Sequence, residues 1–359
     1  MIKLGYVKED GYFKETFYLN TNFLTRHICI FGTTGSGKST TLSIIAYELN
    51  KLGIPVIIFD RTGEYTSRLK KWSYTIIPGY NYYASPFGIW HDLEIEERVQ
   101  NEIWLLNEYC RITWNEQLSP LQIRLLTESL LNIYRRGHNP NFDNIVKECR
   151  KIIEHELKIW YESAEAIASR FQIFTVGKFK KAFLDISNSK PKLISNLRGI
   201  NILDLSVFEN DEPKNMLSLI AATSIYLEIK RAGFSKKVRL VLAIDEAQNL
   251  INKNEKYSIL EKMSMELRKY GLSLILVSPR PSNLSENILS NCGTFISHQI
   301  LSSYDIDMIK KHAYSTNFKY SLENVLYSLN CGEAFIRTLD ELEGRIIKIG
   351  TEEHESIIH

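Results

Sequence analysis

Short apolar runs and helical periodicities alternate along both ends of the chain. Ile28-Cys29-Ile30-Phe31, Val56-Ile57-Ile58-Phe59, Ile200-Asn201-Ile202-Leu203, Leu240-Val241-Leu242-Ala243-Ile244 and Leu274-Ile275-Leu276-Val277 are largely unbroken apolar segments, the pattern of strands covered on both faces. Weaker strand signals lie near Phe295-Ile296 and Ala334-Phe335-Ile336. Between these runs, apolar residues recur at helical spacing: Leu42, Ile45, Ala46 and Leu49, then Leu217, Ile220, Ala221, Ser224 and Leu227. Gly53, Gly233 and Gly271 punctuate the helix ends. Strand and helix in alternation predict an α/β fold with a mostly parallel central sheet.

The pattern changes between residues 81 and 192. Val99, Ile103 and Leu106, and then Leu126, Leu130, Ile133 and Tyr134, mark amphipathic helices. Arg135-Arg136-Gly137 ends the second, and Asn139-Pro140 prevents its continuation. This reads as a helical insertion domain at 81–192, set between core segments 26–80 and 193–359. A strand-rich segment at 1–25 precedes them, with Tyr6-Val7 and Thr16-Phe17-Tyr18-Leu19 on either side of a turn at Asp10-Gly11.

Composition narrows the class. With 44% apolar and 24% charged residues, the chain is an ordinary globular one. Its net charge of +2 leaves any polyanion to local patches. Five cysteines, far apart and without a C-x-x-C pair, indicate neither a disulfide framework nor a zinc site and suit a reducing compartment. The first residues lack a signal-peptide core, and no apolar run approaches the ~20 residues of a bilayer span. A cytoplasmic protein without membrane segments is expected.

The chemistry centres on Gly32-Thr33-Thr34-Gly35-Ser36-Gly37-Lys38-Ser39-Thr40, a full match to the phosphate-loop pattern G-x-x-x-x-G-K-[ST]. It lies between a predicted strand and a predicted helix. Its backbone N–H groups can cradle a polyphosphate, Lys38 can neutralise it, and Ser39 can offer a hydroxyl to Mg²⁺. ATP with Mg²⁺ is the expected ligand. The run Leu240–Ile244 ends in Asp245-Glu246, the Walker B arrangement. Asp245 is expected on the Mg²⁺ shell with Ser39, and Glu246 as the base that activates water. A carboxylate in that place is typical of P-loop ATPases that insert a strand between the two motif strands, and Ile202–Leu205 is a candidate for it. Asp60 and Glu64, at the tip of the second strand, are further candidates for metal and water. Arg268 and Arg280 are candidate cations for the γ-phosphate, supplied from a neighbouring subunit; an ordinary ion pair is the alternative for each. Lys178, Lys180, Lys181, Lys190 and Lys192 form a basic run, either a DNA contact or a solvated face.

Arg26-His27, Asp60-x-x-Gly63-Glu64-Tyr65, Ile244-Asp245-Glu246-Ala247-Gln248-Asn249-Leu250, Arg268-Lys269-Tyr270-Gly271 and Arg280-Pro281-Ser282 occur in this order. Together with the phosphate loop they resemble the HerA/FtsK superfamily, HerA-like ATPases most closely, over most of residues 20–350. The resemblance implies a RecA-like core of the strand-inserting (ASCE) type. It also implies a hexameric ring that pumps DNA through its pore using ATP, and a nuclease partner of the NurA kind. Loops after the Walker B strand would face the pore, making Lys253 and Lys256 the first DNA-contact candidates. Two departures stand out. About 25 residues precede the phosphate-loop unit, too few for the family's usual N-terminal β-barrel. Pro279 occupies the place where the family carries a γ-phosphate-sensing Gln. Two rival readings share the motor residues: a conjugation, secretion or packaging motor, and a low-turnover, nucleotide-gated assembly module. A two-lobed helicase, suggested by the DEAx-like Asp245-Glu246-Ala247-Gln248, would need a second motor domain that the chain has no room for.

Overall fold

The computed structural model describes residues 1–9, 11–155, 158–183, 197–251, 258–313, 321–339 and 344–358. They form two compact units. The first comprises Met1–Thr75, Asn196–Ser206 and Tyr226–His359, the second Ile76–Ser195 and Val207–Ile225.

The first unit is built on a mixed sheet. In chain order its strands are β1 (Ile2–Glu9), β2 (Tyr12–Leu19), β3 (Ile28–Phe31), β4 (Val56–Asp60), β5 (Ser73–Ile76), β6 (Ile200–Asp204), β7 (Leu240–Ile244), β8 (Leu272–Ser278), β9 (Thr294–Ser297), β10 (Glu333–Thr338) and β11 (Arg345–Ile349). Their spatial order is β2-β1-β11-β10-β9-β3-β8-β7-β4-β6-β5. From β9 to β6 neighbouring strands run parallel; from β9 through β10 and β11 to β1 and β2 they run antiparallel. Every residue of β3, β4, β6, β7, β8 and β9 is buried, whereas β11 and β2 carry exposed positions. That is the difference between strands covered on two faces and strands nearer an edge. The N-terminal hairpin is joined to the sheet through β1, whose Gly5, Tyr6 and Val7 pair with Ile349, Lys348 and Ile347.

One expectation is corrected. The strand inserted between the phosphate-loop strand β3 and the Asp-Glu strand β7 is β8, paired Cys29 to Leu276 on one side and Ala243 to Ile275 on the other. The candidate at Ile202–Leu205 is β6, which lies outside β4 with Ile202 opposite Ile58. Both runs are apolar enough to be buried, so composition does not distinguish them. The crossover through the helix that follows β7 carries the chain back beside β3.

The helices of this unit that bear on the site are α1 (Lys38–Lys51) and α2 (Glu64–Arg68). The second unit holds α3 (Ile95–Trp114), α4 (Pro120–Arg135), α5 (Phe142–His155), α6 (Lys158–Gln172) and α7 (Gly177–Ala182). The predicted stripes are the buried ones: Val99, Ile103 and Leu106 on α3, and Leu126, Leu130, Ile133 and Tyr134 on α4. α4 starts at a capping box, Ser119 with Gln122, and has Pro120 in its first turn. Phe142, Phe174 and Phe183 form the aromatic centre of this unit, with ring centroids 4.6–5.7 Å apart. No described helix is long and apolar enough to cross a membrane.

Candidate nucleotide site

β3 delivers the chain, fully buried, to Gly32. Two glycines of the loop are required by close approach. A Cβ on Gly32 would come within 2.5 Å of Ser36 Oγ and 2.6 Å of His298 Cβ, and one on Gly37 within 3.2 Å of His298 Cε1 and 3.3 Å of Gly332 Cα. Gly37 also has φ 117°, where a side chain is strained. α1 begins at Lys38 with Gly37 as its N-cap and no side-chain cap. Its first N–H groups are therefore open to an anion, which the helix dipole favours. Thr34 and Gly35 are exposed at the rim, while Thr33, Ser39 and Thr40 are half-buried.

Lys38 folds back onto this loop, its Nζ donating to Gly32 O at 2.8 Å and Thr33 O at 3.0 Å. Burial lowers its pKa, while Glu246, Asp245 and Glu64 act to raise it. The lysine thus faces a group of carboxylates brought from two strand ends.

Asp245 follows β7 and is buried, its N–H donating to Phe59 O at 3.3 Å. Burial first, then Glu246, Asp60 and Glu64, push its carboxyl up to about 7. Glu246 adopts left-handed backbone angles, φ 52° and ψ 48°, which for a residue with a Cβ costs roughly 1 kcal/mol. The turn swings its carboxylate to Gln248, whose Nε2 donates to it. Asp60 ends β4, and both its oxygens are engaged by the following loop. Oδ1 accepts from Gly63 N at 2.8 Å and Thr62 N at 3.2 Å, and Oδ2 from Thr66 N at 2.8 Å and Thr66 Oγ1 at 2.9 Å. Asp60 is thereby the cap of the turn into α2. Glu64, the first residue of α2, pairs with Arg68 at 3.0 Å. Tyr65 is fully buried beside them, its phenol pushed up by burial and by Asp245 while Ser39 acts in the opposite sense.

The donor set fits a magnesium ion. It offers hard oxygens, the Ser39 hydroxyl and the Asp245 carboxyl, and a dication would relieve the repulsion that raises Asp245. Among the described residues no group of three or more His, Cys, Asp or Glu forms an all-protein metal cage.

The two arginine candidates lie at opposite ends of the parallel strands. Arg280 comes just after β8, at the edge where β3 delivers the phosphate loop. Its side chain is 67% exposed and only 3.9 Å from Asp305. Arg268 precedes β8, at the other edge, and lines a cavity of about 820 Å³ with Thr25, Phe234, Met265 and Lys269. Pro279 directly follows β8, between the tips of β3 and β7. Lys178, Lys180 and Lys181 are exposed on α7, with Lys180 paired to Asp143 at 2.6 Å. Lys190, Lys192, Lys253 and Lys256 lie outside the described residues.

Sequence reasoning missed one cluster entirely. His298, just beyond β9, is buried against the loop. Its Nε2 is 2.9 Å from Thr41 Oγ1 and its Nδ1 is 2.8 Å from Glu333 O. Burial lowers its pKa to about 4, so the ring is neutral. Gly332 N donates to Ser36 O at 3.0 Å, and Cys331 Sγ to Gly35 O at 3.1 Å. A lone histidine more than 250 positions from the motif has no local signal. Only the pairing of β9 with β3 brings it there.

Comparison with known proteins agrees with this arrangement. The family model "Helicase HerA, central domain" matches residues 2–223, and "Helicase HerA-like C-terminal" matches residues 198–348. The DNA double-strand break repair helicase HerA of Saccharolobus solfataricus is 28% identical over 349 residues, covering 92% of this chain. The chain spans 64% of that relative's length. Among solved structures, VirB4 of Thermoanaerobacter pseudethanolicus superposes with a TM-score of 0.74 at 17% identity, over 99% of this chain and 98% of that one. The plasmid coupling protein TrwB in complex with ADP and Mg²⁺ does so at 0.67 and 15% identity, over 97% and 94%. These likenesses establish a RecA-like P-loop fold with β8 inserted between β3 and β7. With its central and C-terminal domain models both matched, the chain belongs to the HerA family of the HerA/FtsK superfamily.

Proposed function

We propose that the protein is an Mg²⁺-dependent ATPase whose hydrolysis drives DNA through a ring of identical subunits. The observation that carries this reading is the convergence of Lys38, Ser39, Asp245 and Glu246 at one edge of the sheet in a HerA-family chain. The N–H groups of Gly35–Thr40 and the Lys38 ammonium bind the phosphates. Ser39 and Asp245 would hold Mg²⁺, which when bound would neutralise charge on the phosphate oxygens. Asp60 stands behind them as the turn cap. Glu246 accepts a proton from the attacking water, with Gln248 orienting its carboxylate, and Glu64 is the reserve base. The helical segment 81–192 is an insertion domain in the ATPase core of 26–80 and 193–359, with 1–25 as a leading segment. A nuclease of the NurA kind is the proposed partner. A steady-state ATPase assay with and without duplex DNA tests the whole. Turnover that ignores DNA would turn the reading toward a conjugation, secretion or packaging motor. Very low turnover would favour the nucleotide-gated assembly module, for which Pro279 at the tip of β8 speaks.

In a head-to-tail ring, a cation serving the neighbour's nucleotide must come from a face remote from its own phosphate loop. Arg268 meets that condition and Arg280 does not, so Arg268 is the proposed trans residue and Arg280 acts within its own subunit. Mixing Lys38→Ala with Arg268→Ala protein is then expected to restore activity to about a quarter of wild type, since random rings regain interfaces with both groups intact. Mixing Lys38→Ala with Arg280→Ala is expected to restore none. The reverse outcome would exchange their roles.

DNA is proposed to be held by phosphate contacts from pore-facing lysines, with Lys253 and Lys256 first and Lys178, Lys180 and Lys181 in reserve. Such contacts carry no sequence information and release counterions. Stimulation of turnover should be indifferent to sequence and fall steeply between low and physiological salt. Replacing Lys253 and Lys256 with Ala should reduce that stimulation and leave basal turnover in place. Full stimulation of the double variant would move the contact elsewhere.

A further inference from the structure

We infer that His298 is a positioning residue for phosphate binding, a neutral strut that holds the phosphate loop open from behind. The inference rests on the nucleotide reading above and concerns a residue outside the motif. Glu333 O can only accept, so Nδ1 carries the ring proton and donates it there at 2.8 Å. Nε2 is then an acceptor, 2.9 Å from Thr41 Oγ1. Thr41 Oγ1 is also 3.0 Å from Gly37 O, the last carbonyl before α1. The hydroxyl has a single proton, shared between Nε2 and Gly37 O, so one three-centre contact links the ring to the residue that turns the loop into the helix.

Packing makes the same connection independently. A Cβ on Gly32 would come within 2.6 Å of His298 Cβ and one on Gly37 within 3.2 Å of its ring Cε1, so the histidine packs against both ends of the loop, its base on Gly32 and its ring on Gly37. The far side of the strut is anchored as well. Asn330 N donates to the Glu333 carboxylate at 3.0 Å, Lys8 pairs with it at 2.6 Å, and Gly332 N holds Ser36 O at 3.0 Å. His298 therefore links the loop to the start of β10 and, through Lys8, to β1. Loop N–H groups left to themselves turn toward water, so holding the free ones ready for phosphate depends on such backing. Preorganisation of this kind lowers the ordering cost of binding.

The test compares His298→Ala, His298→Gln and Thr41→Val. Gln can place an acceptor near the Nε2 position and retain the Thr41 bond. Val keeps the shape of Thr41 and removes only the hydroxyl. With a non-hydrolysable ATP analogue, His298→Ala is expected to bind about tenfold more weakly, as does loss of one or two buried hydrogen bonds. Thr41→Val should weaken binding by a smaller factor, and His298→Gln should recover most of the loss. KM for ATP should rise in proportion while kcat changes little. Hydrogen exchange of the nucleotide-free protein supplies a readout that does not depend on the ATP reading. Amides of residues 32–39 should exchange faster in His298→Ala and Thr41→Val, with those of β7 unchanged. If His298→Ala bound the analogue like wild type and its loop amides kept their protection, the inference would be wrong while the ATP reading stood. If wild type bound no nucleotide at all, the exchange result alone would decide whether His298 braces the loop. If His298→Ala does not fold, Thr41→Val carries the comparison, and wild-type affinity and exchange in that variant would overturn the inference.

Discussion

Lys38→Ala is expected to weaken ATP binding by about 10²-fold. The ammonium is the one cation of the phosphate loop, and two charge-assisted hydrogen bonds to phosphate contribute together about 3 kcal/mol, or two factors of ten in affinity. The structure adds a reason for the loss to be specific. Lys38 now satisfies Gly32 O and Thr33 O, and both carbonyls belong to a loop whose rim at Thr34 and Gly35 is exposed to water. Thr33 O keeps its bonds from Ser36 N and Ser36 Oγ without the lysine, so the variant should fold and melt close to wild type. Calorimetric titration with ATP and Mg²⁺ checks the affinity, and a thermal melt checks the fold. Wild-type affinity in a folded Lys38→Ala protein would remove the phosphate-loop assignment.

Glu246→Gln is expected to leave ATP binding in place and slow turnover by about 10²-fold or more, the usual worth of a positioned general base. The substitution is nearly isosteric. The amide oxygen can still accept from Gln248, which now donates to the carboxylate, and the left-handed turn at φ 52° is no worse for Gln than for Glu. What is lost is the capacity to take a proton. The two variants therefore separate cleanly, Lys38→Ala in Kd and Glu246→Gln in kcat. Rapid-quench turnover at saturating ATP measures the second. If it were unchanged, the base would pass to Glu64, which sits at the start of α2 and is held by Arg68.

Much of the candidate nucleotide site was written locally. The phosphate loop is nine consecutive residues, its strand and helix are visible in four-residue and helical periodicities, and Asp245-Glu246 follow an unbroken apolar run. Each of these is a statement about neighbours in the chain, and burial on two faces leaves a pattern that composition alone reveals. The N-terminal hairpin, β6 and the stripes on α3 and α4 were legible for the same reason. β11 was not, because its alternation of exposed and buried residues is short and charged at Arg345 and Lys348.

Tertiary structure decided who stands beside whom. Apolar runs report that a strand is buried and are silent on its partners, so β6 and β8 were equivalent until pairing put β8 between β3 and β7. The same pairing set Arg280 at the phosphate-loop edge and Arg268 at the opposite one. Asp60 is placed by its strand end alone in the sequence, and only the structure shows backbone N–H groups of the next turn donating to both its oxygens. Satisfying those buried donors is a local need that competes with any metal. His298 had no motif at all. It reaches the loop because β9 pairs with β3, and a close-packed interior leaves Gly32 and Gly37 no side chain with which to resist it.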